Sequence, residues 1–318
     1  MSTVLAVAAV LLGLYVLEEA AERFTAAIGA LARRLRASEG TLGLLTAGGE
    51  WEELVVVVLA VATGHPGVAA GNVIGACLAN LIGSMPLGLL GRRPLAPDRS
   101  ARIYGLVLLA VTVFAGALTA SGRVSRPAGG VLIAVFFLYA ASVVLVIRRG
   151  WLRPPEGEAD EGPAGPEPSA RRTLLVLVLS LIVISAAAEA IVQGAVHIAH
   201  QIGLSEYAIG ATIVAVGTTL PDKAISLIGG VRGQGGVVTA NALGSNIFVL
   251  TLVLGLAALL STGGLHIGAS IVNVDLPLLL GATALVVALF FRRQLHRATG
   301  IALLALYAGY LALALVRG

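Results

Sequence analysis

Apolar stretches of about 20 residues recur along the whole chain, separated by short polar turns. Ten spans can be drawn, roughly at 3–33, 41–63, 67–90, 102–120, 128–147, 173–200, 206–230, 236–261, 270–291 and 299–316. Each is long enough for an α-helix to cross the ~30 Å hydrocarbon core of a bilayer. Lipid offers the backbone no hydrogen-bond partners, so spanning segments of this length must be helices. The pattern predicts an all-α integral membrane protein with ten transmembrane helices. The first apolar stretch, Val4 to Leu17, has no basic segment before it and reads as a spanning helix rather than a cleaved signal. The first span gains Glu18, Glu19, Glu22 and Arg23 toward its end and is expected to tilt.

One segment breaks the pattern. Gly150 to Arg172 holds five prolines and the acids Glu156, Glu158, Asp160, Glu161 and Glu167, a composition expected to stay disordered. It divides the chain into residues 1–149, a linker at 150–172, and residues 173–318, with five spans on each side.

Composition supports the membrane reading. Of 318 residues 58% are hydrophobic and 12% charged, too few charges to cover a soluble domain of this size. Forty glycines suit close helix packing in lipid. The net charge of +4 could suggest a nucleic-acid partner, but the charges are placed otherwise. With the N-terminus outside, the inner loops carry 16 arginines, among them Arg92, Arg93, Arg148, Arg149, Arg171, Arg172, Arg292 and Arg293, and the outer side carries 3 (Arg123, Arg126 and Arg317). That is the positive-inside bias of a membrane protein, and it needs no nucleic acid. The expected location is a prokaryotic cell membrane with both termini outside, and the expected partners are lipid and transported cations. The single cysteine, Cys77, excludes an internal disulfide and a cysteine metal cluster.

The two halves repeat each other. Gly71-Asn-Val-Ile-Gly75 aligns with Ala240-Asn-Ala-Leu-Gly244 at an offset of 169, and the same offset pairs Glu53 with Asp222. Glu22 pairs with Glu189 at an offset of 167. An odd number of spans per half implies opposite orientations. Inverted repeats of this kind mark transporters, with the site at the midplane between them.

The chemistry is expected where acids sit inside spans, because a carboxylate in hydrocarbon costs roughly 2.5–3.5 kcal/mol. Span two carries Glu50, Glu52 and Glu53 after Gly48-Gly49, and span seven carries Gly217-Thr-Thr-Leu-Pro-Asp-Lys223. In each, glycine or proline interrupts an apolar helix just before an acid. A broken helix exposes backbone carbonyls, which with hydroxyls and carboxylates make a hard oxygen site. Hard cations such as Ca²⁺ want such oxygens. Glu50 and Glu53 share a helix face at i, i+3, and Glu52 is expected to point elsewhere, to Lys223 or a vestibule. Lys223 is read either as a cation salt-bridged inside the bundle, the preferred reading, or as a residue snorkelling toward the interface. Trp51 at mid-span has no explanation in the sequence. His197 and His200 stand at a span end with no third ligand and are read as interfacial. No Ser-His-Asp arrangement, phosphate-binding glycine loop or zinc-protease helix is present, so no enzyme activity and no cofactor are expected.

Gly210-Ala-Thr-Ile-Val-Ala-Val-Gly-Thr-Thr-Leu-Pro-Asp-Lys-Ala-Ile-Ser226, followed by Ala240-Asn-Ala-Leu-Gly-Ser-Asn-Ile-Phe248, resembles the second α-repeat of the cation:cation (sodium/calcium) exchanger superfamily. Gly71 to Gly75 resembles the end of the first. The resemblance covers the whole chain and implies two inverted five-helix repeats whose acids, hydroxyls and backbone carbonyls coordinate Na⁺ and Ca²⁺. Carried over, it assigns the acid positions to Glu53 and Asp222, hydroxyls to Thr218, Thr219 and Ser245, and an amide to Asn80. The first repeat departs from the family pattern: Thr-Ser-x-Pro-Glu is replaced by Gly49-Glu-Trp-Glu-Glu53, the span-three hydroxyl is lost at Ala76, and the next Asn is Cys77. Val249 stands at the span-eight position matching Asn80, and Lys223 replaces a more usual apolar residue. Glu50 is therefore expected to supply the oxygen of the missing Ser. The expected function is a secondary Na⁺/Ca²⁺ antiporter working by alternating access. The alternatives are a proton- or monovalent-cation-coupled exchanger, favoured by the surplus acids, and a transport-dead membrane scaffold or sensor.

Overall fold

The computed structural model describes residues 2–34, 49–91, 94–149 and 169–317. Residues 150–168 of the expected linker and 41–48 of the expected second span lie outside them. The described residues are helical throughout, apart from one two-stranded pairing and the turns. The helices are α1 (Thr3–Arg34), α2 (Trp51–Ala62), α3 (Pro66–Gly88), α4 (Arg99–Thr119), α5 (Arg126–Arg148), α6 (Ala170–Ile202), α7 (Glu206–Thr218), α8 (Leu220–Arg232), α9 (Gly235–Leu260), α10 (Ile271–Phe290) and α11 (Arg297–Arg317). Among the described residues eight are long and apolar enough to cross a membrane, and α7 with α8 makes a ninth span bent by 46°. The second expected span is represented among the described residues by α2, whose 12 residues fall short of a bilayer. The sixth span starts at Ala170, three residues earlier than hydropathy suggested, because Ser169 caps it: its hydroxyl accepts from the Arg172 N–H at 3.3 Å.

Local chemistry explains the other helix ends. Asp98 and Ser205 cap α4 and α7 in the same way, accepting from Ala101 and Ala208. Gly203 and Gly233 end α6 and α8 at φ +74°, the left-handed conformation that costs glycine least. Prolines inside spans are relieved by π-helical turns: Pro86 follows one at Ala79–Ser84, and Pro277 one at Ile271–Asp275.

α3 is the bundle's axis, buried without a gap from Val68 to Pro86. Its approach to α7 is backbone against backbone. A side chain at Gly71 would stand 2.3 Å from the Tyr207 carbonyl, and one at Gly75 2.5 Å from that of Ala211. Glycine is required at both. On the outside α1 runs antiparallel along α6, with Gly13 against Ala187 and Ile191 and Gly194 against Ala6 and Val10.

Two loop pairings clasp the bundle. Leu95, before α4, bridges to Leu295, after α10. Beyond the other end of α4, strand β1 (Arg123–Val124) pairs antiparallel with β2 (Leu265–His266), Val124 opposite Leu265. The 169-residue repeat is also visible in the helix boundaries. α2 and α8 begin at Trp51 and Leu220, α3 and α9 at Pro66 and Gly235. The π-turn of α3 at Ala79–Ser84 has its match in α9 at Val249–Val253.

Candidate functional site

The two matched helix starts bring the acids together in the buried middle of the bundle. At the first, Glu50 precedes α2 with φ −78° and ψ 69°, outside the helix. At the second, Thr219 stands between α7 and α8 with φ −88° and ψ 14°. Pro221, in the first turn of α8, has no N–H to give the preceding turn, and the chain bends there. Glu53 is fully buried, and Glu50 and Asp222 are each only 5% exposed.

The carboxylate oxygens of Glu50, Glu52 and Glu53 lie within 4.8 Å of one another. This corrects the expectation that Glu52 points away. That expectation assumed helical spacing through Glu50, but Glu50 precedes α2 with non-helical backbone. Glu50 also lies beside Ser245 of α9. From the other half Asp222 adjoins Asn80 and is held by Asn241, whose amide donates to Oδ1 at 2.6 Å. Glu50 and Asp222 are close enough to feel each other's charge. The structure thus gathers Glu50, Glu53, Asn80, Asp222 and Ser245 from α2, α3, α8 and α9.

Most of these groups are unsatisfied. Both oxygens of Glu53, Asp222 Oδ2, both side-chain atoms of Asn80, and Ser245 Oγ are buried without a hydrogen-bond partner among the described residues. Such groups are rare in folded proteins because each carries a desolvation cost. Here they converge, which is how an oxygen cage for a hard cation is built.

The two threonines are placed differently. Thr218 Oγ1 donates to the Val214 carbonyl at 3.2 Å, leaving its lone pairs available. Thr219 Oγ1 donates to the Ala215 carbonyl at 2.7 Å and accepts from the Lys223 ammonium. Lys223 forms no ion pair within 4.0 Å among the described residues, contrary to the salt bridge expected of it; its ammonium lies on backbone oxygens instead.

Sequence reasoning gave too little weight to two residues. Asn241 entered only as part of the repeated Asn-x-x-Gly motif, and it bonds across to α8 and anchors Asp222. Asn246 donates to the Cys77 carbonyl at 3.2 Å, and the two are 169 residues apart, so repeat-equivalent positions touch. The 169-residue offset was the available signal for that contact. Trp51 has its explanation in edge-to-face contacts with Phe24 (5.7 Å) and Phe248 (5.6 Å), which wall the acids on one side. Of the remaining matched acids, Glu22 is exposed and Glu189 accepts from Gln193, so neither belongs to the cluster.

A helical membrane bundle closed around buried, unpartnered carboxylates has the build of a cation carrier. The chain belongs to the sodium/calcium exchanger protein family, whose pattern matches residues 5–145 and 172–316. It is 31% identical over 313 residues to the candidate antiporter CaxA of Alkalimonas amylolytica, covering 95% of this chain and 96% of that one. Over 87 residues it is 40% identical to the sodium/calcium exchanger MaX1 of Methanosarcina acetivorans, 27% of this chain and 25% of that one. In structure it resembles the sodium-calcium exchanger NCX_Mj at a TM-score of 0.65 and 28% identity, covering 98% of this chain and 99% of the other. It is thus an integral membrane protein of a cation antiporter family, and that family is one of transporters.

Proposed function

We propose that this chain exchanges Na⁺ for Ca²⁺ by alternating access, with the cations held by Glu50, Glu53, Asn80, Thr218, Thr219, Asp222 and Ser245. The observation that carries the reading is the convergence of buried oxygens without partners around Glu53 and Asp222. Uncompensated carboxylates in a dry interior are costly, and a bound cation compensates them. The exchange named for NCX_Mj and MaX1 supports sodium and calcium as the pair.

The same reading takes the chain as ten helices in two inverted five-helix repeats, residues 1–149 and 173–318, joined by a cytoplasmic linker at 150–172. The two loop pairings support it. Shifting Leu95–Leu295 by the repeat offset of 169 carries Leu95 to Gly264, next to Leu265, and Leu295 to Arg126, two residues from Val124, so both fall beside the other pairing. The pairings lie beyond opposite ends of α4, as repeats of opposite orientation require. The arginine bias supports both termini on the outer face of a prokaryotic cell membrane. Cysteines introduced at Ser2 and Gly157 should label from opposite faces; labelling from the same face refutes the arrangement.

A second reading, exchange driven by protons, is favoured by the crowding of three carboxylates within 4.8 Å. A proton can supply the counter-charge there as a metal can. One experiment separates the readings. Purified protein in liposomes loaded with Na⁺ should take up radioactive calcium on dilution into Na⁺-free buffer. Uptake driven only by an imposed proton gradient establishes the second reading in its place, and no uptake under either gradient leaves a non-transporting scaffold.

A further inference from the structure

Lys223 is the residue at the site that the exchange reading leaves without a task. Its Nζ donates to the Val216 and Thr219 carbonyls, each at 3.2 Å, and to the Thr219 hydroxyl. All three oxygens belong to the end of α7 and the break behind it, where a helix C-terminus presents partial negative charge. We propose that the Lys223 ammonium is a tethered monovalent cation, filling an oxygen site at the broken seventh span that a free Na⁺ would otherwise occupy. The inference rests on the exchange reading and adds to it the number of cations carried free.

Four observations support the assignment. The partners are carbonyl and hydroxyl oxygens, the ligands with which proteins replace the water around a monovalent ion. Among the described residues no carboxylate lies within 4.0 Å of Nζ, so the charge is held by dipoles and not by a counter-ion. A snorkelling lysine would send its ammonium toward water, but this one reaches seven residues back along its own chain to Val216. Finally, Lys223 is close enough to Asp222 and Glu53 to offset their charge, yet Asp222 Oδ2 and both Glu53 oxygens remain unpartnered and open to cargo. In the first half Leu54 stands at the matching position and offers no such charge.

The test counts Na⁺ bound at saturation by the purified protein in detergent, measured with isotopic sodium in equilibrium dialysis. Lys223→Met should bind one more Na⁺ per chain than the unaltered protein, and an equal count overturns the proposal. Lys223→Cys gives an independent arm if the methionine variant fails to fold. It should bind the extra Na⁺ before treatment with aminoethyl methanethiosulfonate and lose it afterwards, since the adduct restores an ammonium of similar reach. The unaltered protein, treated alike, controls for reaction at Cys77. A count that the reagent leaves unchanged in Lys223→Cys overturns the proposal, because a lysine that merely caps the helix end would leave ion number unaltered. Sodium-driven calcium uptake by the unaltered protein is scored separately. Its failure counts against exchange, and the difference in bound Na⁺ alone decides the role of the lysine.

Discussion

The two helix starts at Trp51 and Leu220 have the same place in the repeat and different chemistry. Before Leu220 stand two threonines, and behind it a proline, an acid and a lysine whose ammonium covers the exposed carbonyls. Before Trp51 stand a glycine and an acid, and behind it two more acids with no internal cation. Position 50 is the counterpart of 219, so a carboxylate occupies one half-site where a hydroxyl under an ammonium occupies the other. Glu50 and Thr219 both have non-helical backbone, although only the second half has the proline. The ligand chemistry on such a frame is free to change one half at a time.

The sharpest way to break the comparison is to remove one acid from each half. Asp222→Asn should lower Na⁺-driven calcium uptake at least about 100-fold, the consequence of losing roughly 3 kcal/mol from a buried charge pairing. Glu53→Gln should match it. If Glu53→Gln stays within about threefold of the unaltered protein, the cargo is held by the second half alone. A smaller effect is expected at the position where the halves differ. Glu50→Gln should weaken calcium binding about tenfold, or ~1.4 kcal/mol, read by calcium titration of the purified protein. A weaker asymmetry separates the paired asparagines. Asn241→Ala frees Asp222 and should cost about 1–2 kcal/mol of cation affinity. Asn72→Ala removes an amide that is buried without a hydrogen-bond partner among the described residues and should change affinity by less. Equal effects would mean that Asn72 meets an ion directly. The smallest change is expected from Asn246→Ala, about 1 kcal/mol of stability read as a lower melting temperature, because one hydrogen bond to the Cys77 carbonyl is lost.

Hydropathy made the spans legible, and the nine spans now described overlap those drawn, with boundaries that differ by a few residues. The 169-residue offset paired Glu53 with Asp222, and the resemblance to the exchanger superfamily added Asn80 and Ser245, so the gathering of these four was legible in the sequence. Side-chain direction at the breaks did not follow. Helical spacing separates Glu50 from Glu52, but the backbone of Glu50 is not helical, and no residue pattern states its φ and ψ. The partner of Lys223 was missed for the same reason. A lysine beside acids suggests a salt bridge, and only the bend reveals carbonyls near enough to compete for the ammonium. The exact start of α6 depended on one serine cap that hydropathy does not register.

The aromatic wall has an optical consequence. Two tryptophans occur in the chain, Trp51 and Trp151. Trp51 is flanked in sequence by Glu50 and Glu52, and its ring rests on Phe24 and Phe248. Indole emission responds to the electric field across the ring, so a cation entering among those carboxylates should change its colour or intensity. With Trp151 replaced by phenylalanine the protein would report occupancy of its own site through a single native fluorophore, without a dye.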